Sequence, residues 1–212
     1  MLARKVVTRS GRKVRGLFPS RKLKRMVQWE SLLERDAILL FEFSAGVLNY
    51  QEQPCLIHYF DDESDSHRRY FPDFEIIKSS EEIVHLEVKP ELVLVTPEIS
   101  NKLSKVTAHY SKSSLEYRVL TEKQIRREPL HSNLKQLYRY LHTPFGTEII
   151  RREILKKLQS KSLTFTQLAE AYGESSILKM LSIGALRCDL HIPIPETDIV
   201  LPQEADDDQI LF

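Results

Sequence analysis

Apolar and polar positions follow two different rhythms along this chain. Between about residues 47 and 125 the apolar residues come in short runs or in alternation, the period of strands whose successive side chains point to opposite faces. VLNYQEQPCLIHYF (47–60), split by Pro54, YFPDFEII (70–77) and IVHLEVKP (83–90) read as strands. DDESDSHRR (61–69) reads as a polar hairpin loop and KSSEE (78–82) as a turn. A helix is predicted from about Met26 to Phe43. Another is predicted over 97–113, with Ile99, Leu103, Val106 and Tyr110 at helical spacing, and 115–125 begins as a strand. Helix, three strands, helix, strand is the order of a mixed α/β sheet with helices on its faces.

After about residue 147 the pattern turns helical. Ile150, Ile154 and Leu158 mark one short helix. TFTQLAEAYG gives a second, with Thr164 as cap and Gly173 as turn, and SSILKMLSIGAL gives a third. With RCDLHIPI (187–194) as a short strand, the string suits a small α-helical, winged helix-turn-helix-like domain, and equally any three-helix bundle. The expected organisation is a basic arm (1–25), an α/β domain (26–146), a helical domain (147–200) and an acidic tail (201–212); residues 147–212 are expected mainly to dock a partner, and the acidic, apolar-tipped stretch Asp206 to Phe212 either adds to that docking or is disordered.

Charge adds one asymmetry to this picture. The net charge is only +1, but residues 1–29 hold ten Lys or Arg and no acid, which leaves 21 basic against 30 acidic residues in the rest. A basic arm on an acidic body points to a polyanionic partner; a solvated, mobile terminus has the same composition. Arg12, Lys13, Arg15, Arg21, Lys22 and Lys24 are the candidate phosphate contacts. No apolar run reaches the length of a membrane span, and the basic start lacks the apolar core of a signal peptide. Cys55 and Cys188 stand far apart, which argues against a zinc site or a disulfide framework and fits a cytoplasmic protein. His58, His67 and His109 share no metal-binding spacing.

The candidate chemistry sits on two strands. Alternation puts Glu87 and Lys89 on one face near a strand end, and Asp73, after Pro72, on the neighbouring strand. Two carboxylates brought together repel unless a cation lies between them, and hard oxygen donors of this kind suit Mg²⁺ or Mn²⁺. The Val88 carbonyl is a further candidate ligand, and Lys89 is placed to hold or activate a water. An ordinary cross-strand ion pair would use the same residues. On the predicted helix Glu34 falls within an apolar stripe with Glu30 one turn before it; an acid there is costly unless it is paired or binds a metal. If the opposite face of that helix is the buried one, both acids are solvated. His85 shares the face of Glu87, where a histidine more often packs than reacts.

These residues resemble the PD-(D/E)xK nuclease superfamily and, more narrowly, the TnsA endonucleases of heteromeric cut-and-paste transposons. The likeness is carried by SGRKVRGLFPSRKLKRMVQWESLLERD, YQEQP, FPDF and EVKP in that order, over residues 10–90, and continues to about 140. The resemblance implies a restriction-endonuclease-like mixed sheet flanked by helices. It implies a Mg²⁺ site, with Mn²⁺ as substitute, made by Glu34 (Glu30 as the alternative), Asp73, Glu87 and the Val88 carbonyl. Lys89 completes the catalytic set, and Gln53 takes a supporting position. It further implies cleavage of the 5′ strand at double-stranded transposon ends, beside a TnsB-like DDE transposase and a TnsC-like ATPase, in a bacterial cytoplasm at the nucleoid. Such proteins also occur in CRISPR-associated transposons. The other readings are a stand-alone defence or repair nuclease of the same superfamily, and an inactive DNA-binding adaptor.

Overall fold

The computed structural model describes residues 14–113, 115–144, 148–203 and 208–212, which fall into two units. The first holds the described residues up to Ile125 together with Asp208–Phe212. The second holds those from Arg126 to Gln203.

The first unit opens with an antiparallel hairpin, β1 (Gly16–Ser20) and β2 (Arg25–Trp29), then α1 (Leu32–Phe43). Two expectations are corrected here. Residues 14–25 are not a separate arm, and the helix starts six residues later than Met26. The cause is local: Val27 and Trp29 are buried on alternate positions, as in a strand, and the Ser31 hydroxyl accepts the Glu34 amide at 3.1 Å, which fixes Ser31 as the N-cap. α1 is buried almost all round, from Leu33 to Glu42, so neither single stripe expected for it exists.

There follow β3 (Val47–Glu52), β4 (Ile57–Asp61), β5 (Ser66–Tyr70), β6 (Phe74–Lys78), β7 (Ile83–Val88), α2 (Glu91–Leu94), α3 (Pro97–Tyr110), β8 (Glu116–Leu120) and α4 (Glu122–Ile125). The main sheet has the order β3-β6-β7-β8, antiparallel except for the parallel pair β7–β8 that α3 connects. β4 and β5 form their own antiparallel ribbon, so only 62–65 of the expected loop is a turn. Phe41 of α1 packs its ring on Tyr50 and Phe74 of the sheet, at 5.7 and 5.2 Å between centroids.

Residues 208–212 belong to this core, which corrects the expectation that they are part of a separate tail. The Gly46 amide donates to the Gln209 carbonyl at 2.8 Å, Leu211 is 3% exposed, and the Phe212 ring meets Phe41 edge-on at 5.3 Å. A Cβ at residue 46 would fall 2.4 Å from the Asp208 carbonyl oxygen, so only glycine admits the approach.

The second unit contains α5 (Leu130–Leu141), α6 (Glu148–Ser160), β9 (Leu163–Thr164), α7 (Phe165–Tyr172), α8 (Glu174–Ser182), a 3-10 turn at Ile194–Glu196 and β10 (Asp198–Ile199). The boundary therefore lies at 125/126 and not near 146. Leu130, Leu134, Leu137 and Leu141 form a buried stripe on α5, which packs on α8, and the Lys179 ammonium caps the carbonyls of Tyr140 and Leu141. Thr164 and Gln167 close a capping box on α7. β10 pairs with β9, and Val200 pairs with Arg187. The rest of the expected strand 187–194 is irregular: Asp189 accepts the His191 amide, and Asn133 donates to the carbonyls of Leu190 and Ile192, which satisfies that backbone without a ladder. No helix among the described residues is long and apolar enough to cross a membrane.

Candidate active site

The antiparallel register sets Phe74 opposite Leu86, which brings the residues on either side, Asp73 and Glu87, to one end of the β6–β7 pair. Asp73 Oδ2 accepts the Val88 amide at 2.9 Å and the Lys89 ammonium at 3.2 Å. Lys89 Nζ also lies 2.7 Å from Glu87 Oε1 and donates to the Val88 carbonyl at 3.2 Å. The other Glu87 oxygen accepts the Tyr70 hydroxyl at 2.5 Å. The Gln53 backbone amide donates to the Asp73 carbonyl at 3.0 Å, and Gln53 holds a left-handed φ of 45°.

Glu34 comes to the same place from the first turn of α1. Its carboxylate accepts the Glu30 amide at 2.7 Å and the Ser31 hydroxyl at 3.1 Å. Burial, and next the charge of Asp73, push its pKa up to about 7. Burial and Asp73 likewise raise that of Glu87, against the pull of Lys89 and Tyr70. For Lys89, burial alone would lower the pKa, but Asp73 and Glu87 outweigh it and the net shift is upward. Glu30 instead faces Arg15 at 3.4 Å. Three buried carboxylates thus share the field of one ammonium.

That surplus of hard, negative oxygen donors matches a divalent cation in charge and chemistry. Among the described residues, however, no three His, Cys, Asp or Glu side chains are already arranged around a common metal position. The ammonium of Lys89 lies between Asp73 and Glu87, where a cation would otherwise balance them.

Other predicted residues go elsewhere. Lys22 donates to the carbonyls of Phe41, Ser44 and Val47 at 2.8, 2.7 and 2.6 Å, so its charge caps α1. Arg15 is paired with Glu30, Arg21 and Lys24 are exposed, and Arg12 and Lys13 lie outside the described residues. His85 bonds Tyr110 and Glu75 at 2.6 and 3.0 Å, not Asp73 or Glu87.

Tyr70 was not singled out from the sequence. Its hydroxyl also meets that of Tyr117 at 2.9 Å, and the Tyr117 ring stacks on Tyr110 at 4.7 Å. The signal available was a tyrosine closing an otherwise polar run, HRRY, three residues before Asp73.

Residues 44–122 match the family model described as the TnsA-like endonuclease N-terminal domain. This segment is similar to a TnsA-like endonuclease domain. The TnsA-like domain includes Gln53, Tyr70, Asp73, Glu87, Val88 and Lys89; Glu34 and the second unit lie outside the matched residues. No curated protein matches the chain.

Proposed function

We propose that the chain is a metal-dependent DNA endonuclease subunit of a heteromeric transposase, which cleaves the 5′ strand at transposon ends. The observation that carries this reading is the convergence of Asp73, Glu87 and Lys89 inside the TnsA-like domain, with Glu34 of α1 turned into the field of Asp73. Mg²⁺, or Mn²⁺ in its place, would be held by Glu34, Asp73, Glu87 and the Val88 carbonyl. Once bound, it supplies polarisation of the scissile phosphate and a water of lowered pKa.

The chain's own residues do the rest. The Val88 amide and the Gln53 amide fix Asp73 from its side chain and its backbone. Tyr70 holds one oxygen of Glu87 and leaves the other toward Lys89. The Lys89 ammonium, flanked by carboxylates and a carbonyl, serves as a fixed positive charge for the charge that develops on the phosphate. Restriction-endonuclease-like architecture is supported by the order of α1, β3, β6, β7, α3 and β8. In the second unit, α6, β9, α7 and α8 followed by a return strand on β9 favour a winged helix-turn-helix-like role. Sequence choice then rests with partners, a TnsB-like DDE transposase and a TnsC-like ATPase.

The test is cleavage of end-containing duplex DNA by the full chain with transposase, ATPase and Mg²⁺. Lys89→Ala should lower the rate by about a thousandfold while duplex affinity stays near wild type. Cleavage by that variant at the wild-type rate overturns the assignment.

A further inference from the structure

The β4–β5 ribbon has two unlike faces. Its inner face carries Tyr59 and Tyr70, buried with Val106 and Tyr110 of α3. Residues directly opposite in an antiparallel pair share a face. The register sets His58 opposite Arg69 and Phe60 opposite His67, so these four make the outer face. All four are exposed, Phe60 by 50%, and the Phe60 and His67 rings touch edge-on at 5.6 Å. Among the described residues Arg69 has no ion-pair partner.

The acids next to the ribbon are turned away from this face. Asp61 and Asp62 bond the Lys105 ammonium of α3 at 2.5 and 2.9 Å, and Glu63 accepts from Asn101 of α3 at 2.6 Å. Asp65 sits in the turn, beyond the paired residues. The outer face is therefore basic and aromatic with no carboxylate on it. It is also fixed to the active site, since Tyr70, the last residue of β5, bonds Glu87, and the chain runs on from it through Pro72 to Asp73.

We infer that the outer face of the β4–β5 ribbon is a duplex-DNA contact, with Arg69 meeting a backbone phosphate and the Phe60–His67 pair packing against the groove wall. A two-stranded ribbon has the width of a DNA groove, and a cation with an aromatic pair suits phosphate and sugar. The inference rests on the nuclease reading and adds to it a surface that holds the substrate beside the carboxylates.

The experiment measures fluorescence anisotropy of the full chain on a 30-base-pair duplex without metal, over a salt series. The double variant Phe60→Ala/Arg69→Ala should bind about tenfold more weakly, with the salt slope reduced by about one. Arg69→Lys should keep the slope, which separates loss of charge from loss of fold, and Lys112→Ala in the turn after α3 should bind as wild type. Wild type that neither binds nor cuts duplex DNA overturns the nuclease reading and this inference with it. Wild type that binds and cuts, beside a double variant of unchanged affinity and slope, overturns the ribbon contact alone. The ribbon contact also fails if the double variant keeps its DNA affinity and instead loses capture of the transposase.

Discussion

The two ends of α1 each bury charge, and they treat it differently. Near its C-terminal end, Glu42 accepts the Ser20 hydroxyl, the Arg21 and Lys22 amides and the Tyr50 hydroxyl, all between 2.6 and 2.8 Å. Lys22 beside it is taken up by three carbonyls. Every charge there has short, fixed partners, and the result is a clasp between the β1–β2 turn and the helix. At the N-terminal end Glu34, Asp73 and Glu87 share the field of one ammonium, which pairs directly with Asp73 and Glu87 only, and burial and mutual repulsion drive Glu34 and Glu87 toward protonation. A buried charge whose field is balanced fixes structure; three hydrogen-bonded carboxylates with one ammonium among them hold free energy that a cation can recover.

The largest test of this contrast is at Asp73. Asp73→Ala removes the residue that both other carboxylates respond to, and calorimetry should show most of the Mn²⁺ heat lost while the fold persists. Unchanged heat would take Asp73 out of the metal site and would remove the functional half of the comparison.

At the other end the effect is on stability. Glu42→Gln sets an amide N–H₂ against donors that a carboxylate had satisfied, and should cost about 2 kcal/mol in denaturant unfolding, with cleavage by the folded protein retained. A neutral outcome would mean that the clasp is not what holds the β1–β2 turn.

The smallest and sharpest effect has the opposite sign. Glu34→Gln should stabilise the metal-free protein by about 1–2 kcal/mol while it depresses cleavage. The pH window follows from the shift. Below the ordinary glutamate range the carboxyl is protonated both folded and unfolded, so wild type and variant are equally stable. As the pH rises toward about 7 the unfolded chain gives up the proton before the folded chain does, and wild type loses stability. The gap should therefore open across that interval and level off above it. A variant less stable than wild type at pH 8 would make Glu34 a structural cap of α1 and no more.

Much of the site was legible because it lies within one strand pair. Alternation alone put Glu87 and Lys89 together, and the neighbouring strand delivered Asp73. The main-sheet strands of the TnsA-like domain were readable for the same reason. What the sequence did not disclose depends on distant partners. RMVQW carries no sign of being a strand until Trp29 and Val27 find a core and Ser31 caps the helix behind them. Lys22 reads as one more basic residue of an arm, because the carbonyls that take its charge lie about 20–25 residues away. The fate of SHRRY as a strand rests on α3, against which Tyr70 packs. The helix α5 and its leucine stripe were not read from the sequence at all, since the partner that buries the stripe, α8, comes some forty residues later.

The return of residues 208–212 to the first unit makes the second an insertion within the covalent thread of the first. A domain appended at one end can be removed by one cut. This one is held at both ends, on one side by the peptide bond after Ile125 and on the other by a short segment whose Leu211 is interior. A protease that severs the chain once, at either junction, leaves the first unit complete in its parts, held together by the packing of residues 208–212. A stop codon after Ile125 would strip the first unit of Leu211 and Phe212; a gene in which a linker replaces everything between 125 and 208 would keep them.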